Sequence, residues 1–162
     1  MVGSYHAQEA FPYDENILKN FEGPYDSVFE YGCGPGRNLL RLSRRFTLVA
    51  GTDISKGNIN NARKFLDLNG VKNHRLFVTT GDGIPDDGQQ YNLVFEVICF
   101  QHICSYNIRR KILADMVRIC RPGGRVVLQM GFNDKTLPRS NHAHTPQGVI
   151  ELRRFFSEGM LN

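Results

Sequence analysis

The sequence predicts an α/β fold built on one parallel sheet, and three observations carry that prediction. Strand-like and helix-like segments alternate along the chain. The run Tyr91 to Ile98 is almost continuously apolar, as a strand covered by helices on both faces must be. The residues able to do chemistry fall at the carboxyl ends of successive strands, where open parallel sheets bind their ligands.

The elements follow in order. Residues 13–22 read as a short helix, ended by Gly23-Pro24. Ser27 to Tyr31 is a short apolar strand, and Arg37 to Arg45 a helix with Leu39, Leu40 and Leu42 turned inward. Thr47 to Thr52 forms the second strand, ending at Asp53. Ser55 can cap a helix that runs to about Leu68 and stops at Asn69-Gly70. Arg75 to Thr79 is the third strand and Gly81 to Gln90 a polar loop; Tyr91 to Ile98 is the fourth strand. The spacing of Ile108, Ile112, Leu113, Met116 and Val117 predicts a helix over 107–119. Arg121-Pro122-Gly123-Gly124 breaks it, and Arg125 to Met130 is the fifth strand. After a polar loop over 133–145, Pro146 is expected to open a last helix reaching about Ser157.

A chain of 162 residues can bury one core, so a single domain is expected over 1–162. No apolar run approaches the roughly 18 residues of a membrane span, and the N-terminus lacks the basic and apolar regions of a secretory signal. A cytoplasmic protein is expected. Cys33, Cys99, Cys104 and Cys120 form no C-x-x-C pair, which argues against zinc, any other metal centre or a disulfide framework. They read as small core residues, with Cys33 set apart in the glycine turn. The net charge of +4 includes two basic groups, Arg37/Arg41/Arg44/Arg45 and Arg109/Arg110/Lys111. Solvated helix faces account for both more simply than a nucleic-acid surface does.

The chemistry concentrates in Glu30-Tyr31-Gly32-Cys33-Gly34-Pro35-Gly36. Glycines let a strand-to-helix turn bend sharply and come close to a ligand. A dinucleotide-binding turn reads G-x-G-x-x-G, whereas here Arg37 stands where the third glycine would fall, so a nicotinamide cofactor is a distant reading. Glu30 would repel a pyrophosphate and suits a ligand bearing an ammonium group. Buried without a partner it would be costly, so it calls for a partner or a ligand. Asp53, 21 residues after Gly32, can accept hydrogen bonds from both hydroxyls of a ribose, or cap the helix beginning at Ser55. Asp82, in Gly81-Asp82-Gly83, can accept from an adenine amino group, or sit in an ordinary polar turn.

Taken together, Val28 to Gly36, Asp53 and Gly81-Asp82-Gly83 resemble the class I S-adenosylmethionine-dependent methyltransferases of small-molecule type. Tyr91 to Phe95 with Gln101-His102-Ile103 resembles that family's fourth-strand motif, with Asn92 in place of the usual Asp, and Arg121 to Leu128 resembles its turn into strand five. The likeness covers roughly residues 25–132. It implies a three-layer Rossmann-like sheet of five strands in the order 3-2-1-4-5. It also implies methyl transfer from S-adenosylmethionine, leaving S-adenosylhomocysteine, to a small-molecule acceptor. The implied cofactor-binding residues are Glu30, Gly32, Cys33, Gly34, Gly36, Asp53, Ile54, Asp82, Gly83 and Glu96, with His102 as the candidate general base. His142 and His144 could face a substrate, and Tyr5, His6 and Tyr13 could belong to an N-terminal lid.

The family's usual last two strands have no counterpart after the expected helix, so the domain is expected to be C-terminally truncated. The open fifth strand would then be covered by the 146–158 helix or pair with a second copy as a homodimer. Two alternatives accompany the small-molecule reading. An RNA methyltransferase is disfavoured because Glu96-Val97-Ile98-Cys99 replaces the Asn/Asp-Pro-Pro-aromatic motif of base-amine enzymes. A cofactor-binding remnant without activity is the other.

Overall fold

Successive side chains of a strand point to opposite faces, and the apolar residues of this chain sort accordingly into two cores. Val28, Val49, Leu93 and Phe95 pack with Leu39, Leu42, Ile59 and Leu66 in one cluster. Phe29, Tyr31, Tyr91 and Val94 pack with Ile112, Met116 and Ile119 in the other. The computed structural model describes residues 13–130 and 148–151. Its elements are α1 (Tyr13–Leu18), β1 (Ser27–Tyr31), α2 (Arg37–Leu42), β2 (Leu48–Asp53), α3 (Lys56–Leu68), β3 (His74–Val78), β4 (Tyr91–Val97), α4 (Tyr106–Ile119), β5 (Cys120–Met130) and β6 (Gly148–Glu151). Helices α1, α2 and α3 supply the first core and α4 the second, giving three layers with the sheet in the middle.

The sheet order is β3-β2-β1-β4-β5-β6. The first five strands are parallel, as expected, with Asp53 opposite Val78 and Tyr31 opposite both Thr52 and Glu96. This register brings the ends of β1, β2 and β4 to one level. Ser55 caps α3 by accepting from the Asn58 N–H at 3.2 Å, and Gly70, at φ +78°, follows its end. Asn92, the departure from the family's usual Asp, has Oδ1 accepting from the N–H and the hydroxyl of Ser27, each at 3.0 Å. That bond pair joins β4 to β1 at the end of the sheet away from the glycine turn.

Two expectations are corrected. Residues 121–124 do not simply precede the fifth strand: Tyr91 pairs with Cys120 and Leu93 with Arg125, so they form a bulge within β5. The C-terminal helix from Pro146 is replaced, over Gly148–Glu151, by β6, which runs antiparallel to β5 from Val127↔Glu151 to Met130↔Gly148. The unpaired backbone groups along the edge of β5 offer this segment a ladder. The edge stretch Val127–Met130 is thereby paired from within the chain, where an open edge was expected. The remaining residues of the expected helix, and the loop with His142 and His144, lie outside the described residues.

Arg125 ties the N-terminal segment to the sheet. Its guanidinium donates to the carbonyl of Lys19 at 2.9 Å and to that of Asn20, and lies over the Phe21 ring. No helix among the described residues is long and apolar enough to cross a membrane.

Candidate functional site

The turn after β1 is fastened to β2 before it reaches α2. The N–H groups of Gly32 and Cys33 both donate to the Thr52 carbonyl, at 2.8 and 2.9 Å. Gly32, Gly34 and Gly36 have φ of +74°, +52° and +84°, a region that L side chains rarely adopt. Their surroundings differ. A Cβ on Gly32 would lie 2.8 Å from Cys99 Sγ, and one on Gly36 would lie 3.2 Å from the Ala62 Cβ. A Cβ on Gly34 would meet nothing within 4 Å. Gly32 and Gly36 therefore permit packing, while Gly34 turns an open face outward.

Three acids surround the turn. Glu30 is buried; its Oε1 accepts from Asn38 Nδ2 at 2.7 Å, and its Oε2 has no hydrogen-bond partner among the described residues. Burial pushes its carboxyl up to about 8, opposed by the Asn38 bond and reinforced by Glu96 and Asp53. Asp53 accepts from the Gly34 N–H through Oδ2 at 3.0 Å, and through Oδ1 from the Ser55 N–H at 2.8 Å and Asn58 Nδ2 at 3.2 Å. The helix cap is Ser55, and Asp53 is left to join the end of β2 to the glycine turn. Glu96 is fully buried, with Oε2 accepting from the Phe100 N–H at 3.0 Å and Oε1 from the Gln129 N–H at 2.9 Å. Burial raises its carboxyl to about 7, against the lowering effect of those bonds. Each of its oxygens serves a backbone N–H group, which ties the end of β4 to the Phe100 turn and to β5.

The loop after β3 closes the other side. Gly81, at φ +90°, lies where a Cβ would come 3.0 Å from Ile54 Cγ2, and the Tyr31 hydroxyl donates to the Gly81 carbonyl at 3.3 Å. Ile54 itself is 68% exposed, an apolar surface beside Asp53. Asp82 is exposed and paired with Lys111 Nζ at 2.8 Å, and also accepts from the Thr80 hydroxyl. Lys111 and Thr80 hold its carboxyl down at about 2. Gly83 sits where a Cβ would come 2.8 Å from Asp115 Oδ2.

The structure thus brings Glu30, Gly32, Cys33, Gly34, Gly36, Asp53 and Ile54 together, with Gly81 against Ile54. His102 is exposed on the short helical turn Cys99–His102 after β4, its ring nitrogen 3.4 Å from Gln101 Nε2. Tyr5 and His6 lie outside the described residues. The cysteine reading is corrected at two positions: Cys33 is the most buried of the four, and Cys104 is exposed. All four are free, and no group of metal-ligating side chains occurs among the described residues.

Sequence reasoning missed Asn38, Asn58 and Gly51. Asn38 lies on the first turns of the helix that follows the glycine turn, a position from which a side chain can reach back to the strand, but no motif marks it. Gly51 faces the underside of the turn: a Cβ there would fall 2.8 Å from the Cys33 Cβ and 3.1 Å from the Glu30 carbonyl. Gly51→Ala is expected to lower the urea midpoint, at a cost of about 1–3 kcal/mol for overpacking, with the glycine turn displaced; an unchanged midpoint would contradict the packing described.

A family model described as a methyltransferase domain matches residues 28–124, more than half of the chain. The chain belongs to the methyltransferase domain family. Solved structures similar to this methyltransferase domain include the YcgJ protein from Bacillus subtilis, at TM-score 0.62 and 23% identity over 70% of this chain and 48% of that one. A SAM-dependent methyltransferase from Thiobacillus denitrificans in complex with S-adenosyl-L-homocysteine aligns at TM-score 0.58 and 18% identity, over 71% and 45%. SAM-bound CalS10 from Micromonospora echinaspora, an amino pentose methyltransferase, aligns at TM-score 0.57 and 24% identity, over 64% and 42%. The methyltransferase domain described here therefore spans less than half the length of these structures. Comparison with curated protein sequences returns no match.

Proposed function

We propose that this methyltransferase domain binds S-adenosylmethionine and transfers its methyl group to a small-molecule acceptor. The observation that carries the reading is the open face of Gly34, bounded by the Asp53 carboxylate and followed by the exposed Ile54. The residues present fit the cofactor. Glu30 Oε2, buried without a partner among the described residues, suits an ammonium group. Asp53 carries acceptor oxygens for the ribose hydroxyls, Ile54 offers an apolar face for the adenine ring, and Asp82 an acceptor for its amino group. When bound, the cofactor supplies a sulfonium methyl group open to in-line displacement by a nucleophile.

The protein's own contribution is orientation and electrostatics. The turn presents bare backbone at Gly34, and the Glu30 carboxyl, neutral before binding, would ionise beside a cationic ligand. His102 is the residue proposed to take a proton where the acceptor must lose one. The small-molecule reading draws support from Glu96-Val97-Ile98-Cys99 at the end of β4 and from the likeness to an amino pentose methyltransferase. The four free cysteines fit a cytoplasmic setting.

Calorimetry with S-adenosylhomocysteine tests the reading directly. Asp53→Ala removes two charge-assisted acceptors and is expected to weaken binding about 100-fold. Parent and variant binding equally, or a parent that does not bind, would reject it.

A further inference from the structure

Helix α4 uses one face to cover the sheet and the neighbouring face to grip a loop. Ile112, Met116 and Ile119 are buried in the core. Lys111, Asp115 and Arg118, at helical spacing beside them, all reach the segment 82–86. The central contact is a two-point hold on a single residue. Asp115 Oδ2 accepts from the Ile84 N–H at 2.9 Å, and Arg118 Nη2 donates to the Ile84 carbonyl at 3.0 Å. The two side chains are joined to each other, Arg118 Nε to Asp115 Oδ1 at 3.0 Å. Ile84 has its side chain buried in the core on the same side. The close approach of the loop depends on Gly83, where a Cβ would collide with Asp115 Oδ2 at 2.8 Å.

We infer that Asp115 and Arg118 are positioning residues that fix the loop Gly81–Ile84, and with it Asp82, against the adenine edge of the bound cofactor. This rests on the cofactor reading given above. Asp82 is exposed, and its pairing with Lys111 is of the solvated kind that fixes a side chain weakly. The loop backbone, in contrast, is held at Ile84 by a charged pair acting on both of its polar groups. The position of Asp82 is therefore set from α4, two residues along the chain, and discrimination of the base's amino group is set there too.

The test compares S-adenosylhomocysteine with S-inosylhomocysteine, which carries an oxo group in place of the adenine amino group. In Asp115→Ala, affinity for S-adenosylhomocysteine is expected to fall about tenfold, the loss of one charge-assisted bond, and the preference over the inosine analogue to narrow by a similar factor. Hydrogen exchange at the Ile84 amide should accelerate in the same variant. Arg118→Met keeps the Asp115 bond to the Ile84 N–H, and should give a smaller change in the same direction should Asp115→Ala fail to fold. Faster exchange at Ile84 with the base preference unchanged would overturn the inference while leaving the cofactor reading intact. A parent protein that binds neither nucleoside would overturn both.

Discussion

Gly34→Val is expected to abolish measurable binding of S-adenosylhomocysteine, a loss of about 100-fold or more, with a smaller effect on folding. Two effects separate in this variant. At φ +52° a β-branched residue is strained, at about 1–3 kcal/mol, so the denaturation midpoint should fall. The side chain would enter the open space where a Cβ meets nothing within 4 Å, so the folded protein loses its cradle without a clash inside the protein. Gly34→Ala pays nearly the same backbone strain with far less volume. Calorimetry and urea titration on the pair should show similar midpoints but much weaker binding for valine. If valine binds like alanine, the open face of Gly34 is not where the ligand sits.

Glu30→Gln is expected to flatten the pH dependence of stability and to remove a proton linkage from ligand binding. The carboxyl is raised from an ordinary 4.5 to about 8 in the folded protein, chiefly by burial. Below the unfolded value both states hold the proton and nothing is lost. As pH rises from there, the unfolded chain ionises first and the folded state falls behind, so stability declines until pH passes the folded value. The decline across that window is on the order of a few kcal/mol. Glu96, raised to about 7, contributes in the same direction and leaves a residual slope in the variant. Near neutral pH Glu30 holds its proton, and a ligand ammonium beside Oε2 would release it. Calorimetry in buffers of different ionisation enthalpy should detect that release in the parent and its absence in Glu30→Gln. Equal pH slopes for the two proteins would contradict the burial of this acid.

Most of the parallel core was legible because its signals are local. Continuous apolar runs mark strands covered on both faces, Ser55 and Asn69-Gly70 mark the ends of α3, and the glycine spacing marks the turn. Glu30 and Asp53 stood out because a carboxylate at the end of an apolar strand needs a reason. What escaped depended on contacts between distant segments. Glu96 sits in the right strand, but only the fold reveals that the Phe100 and Gln129 amides occupy its oxygens. Asn38 and Gly51 are unremarkable residues until the turn is laid over them. The misreading after residue 146 has the same origin. Pro146 is a sound helix opener, yet the free edge of β5 pairs with Gly148–Glu151 in a ladder set by a partner distant in the chain.

The hydrogen bonds of the glycine turn also fix what kind of molecule it can hold. The amides of Gly32 and Cys33 are committed to Thr52, that of Gly34 to Asp53 and that of Gly36 to the Cys33 carbonyl, while Pro35 has none. Every donor between 32 and 36 is therefore turned inward, the reverse of a phosphate-binding loop, whose amides converge on the ligand. What the turn presents outward at Gly34 is bare backbone, with the Asp53 carboxylate beside it. The turn offers an anion no backbone donor, which accords with the proposed guest, one rich in hydroxyl, amino and cationic groups.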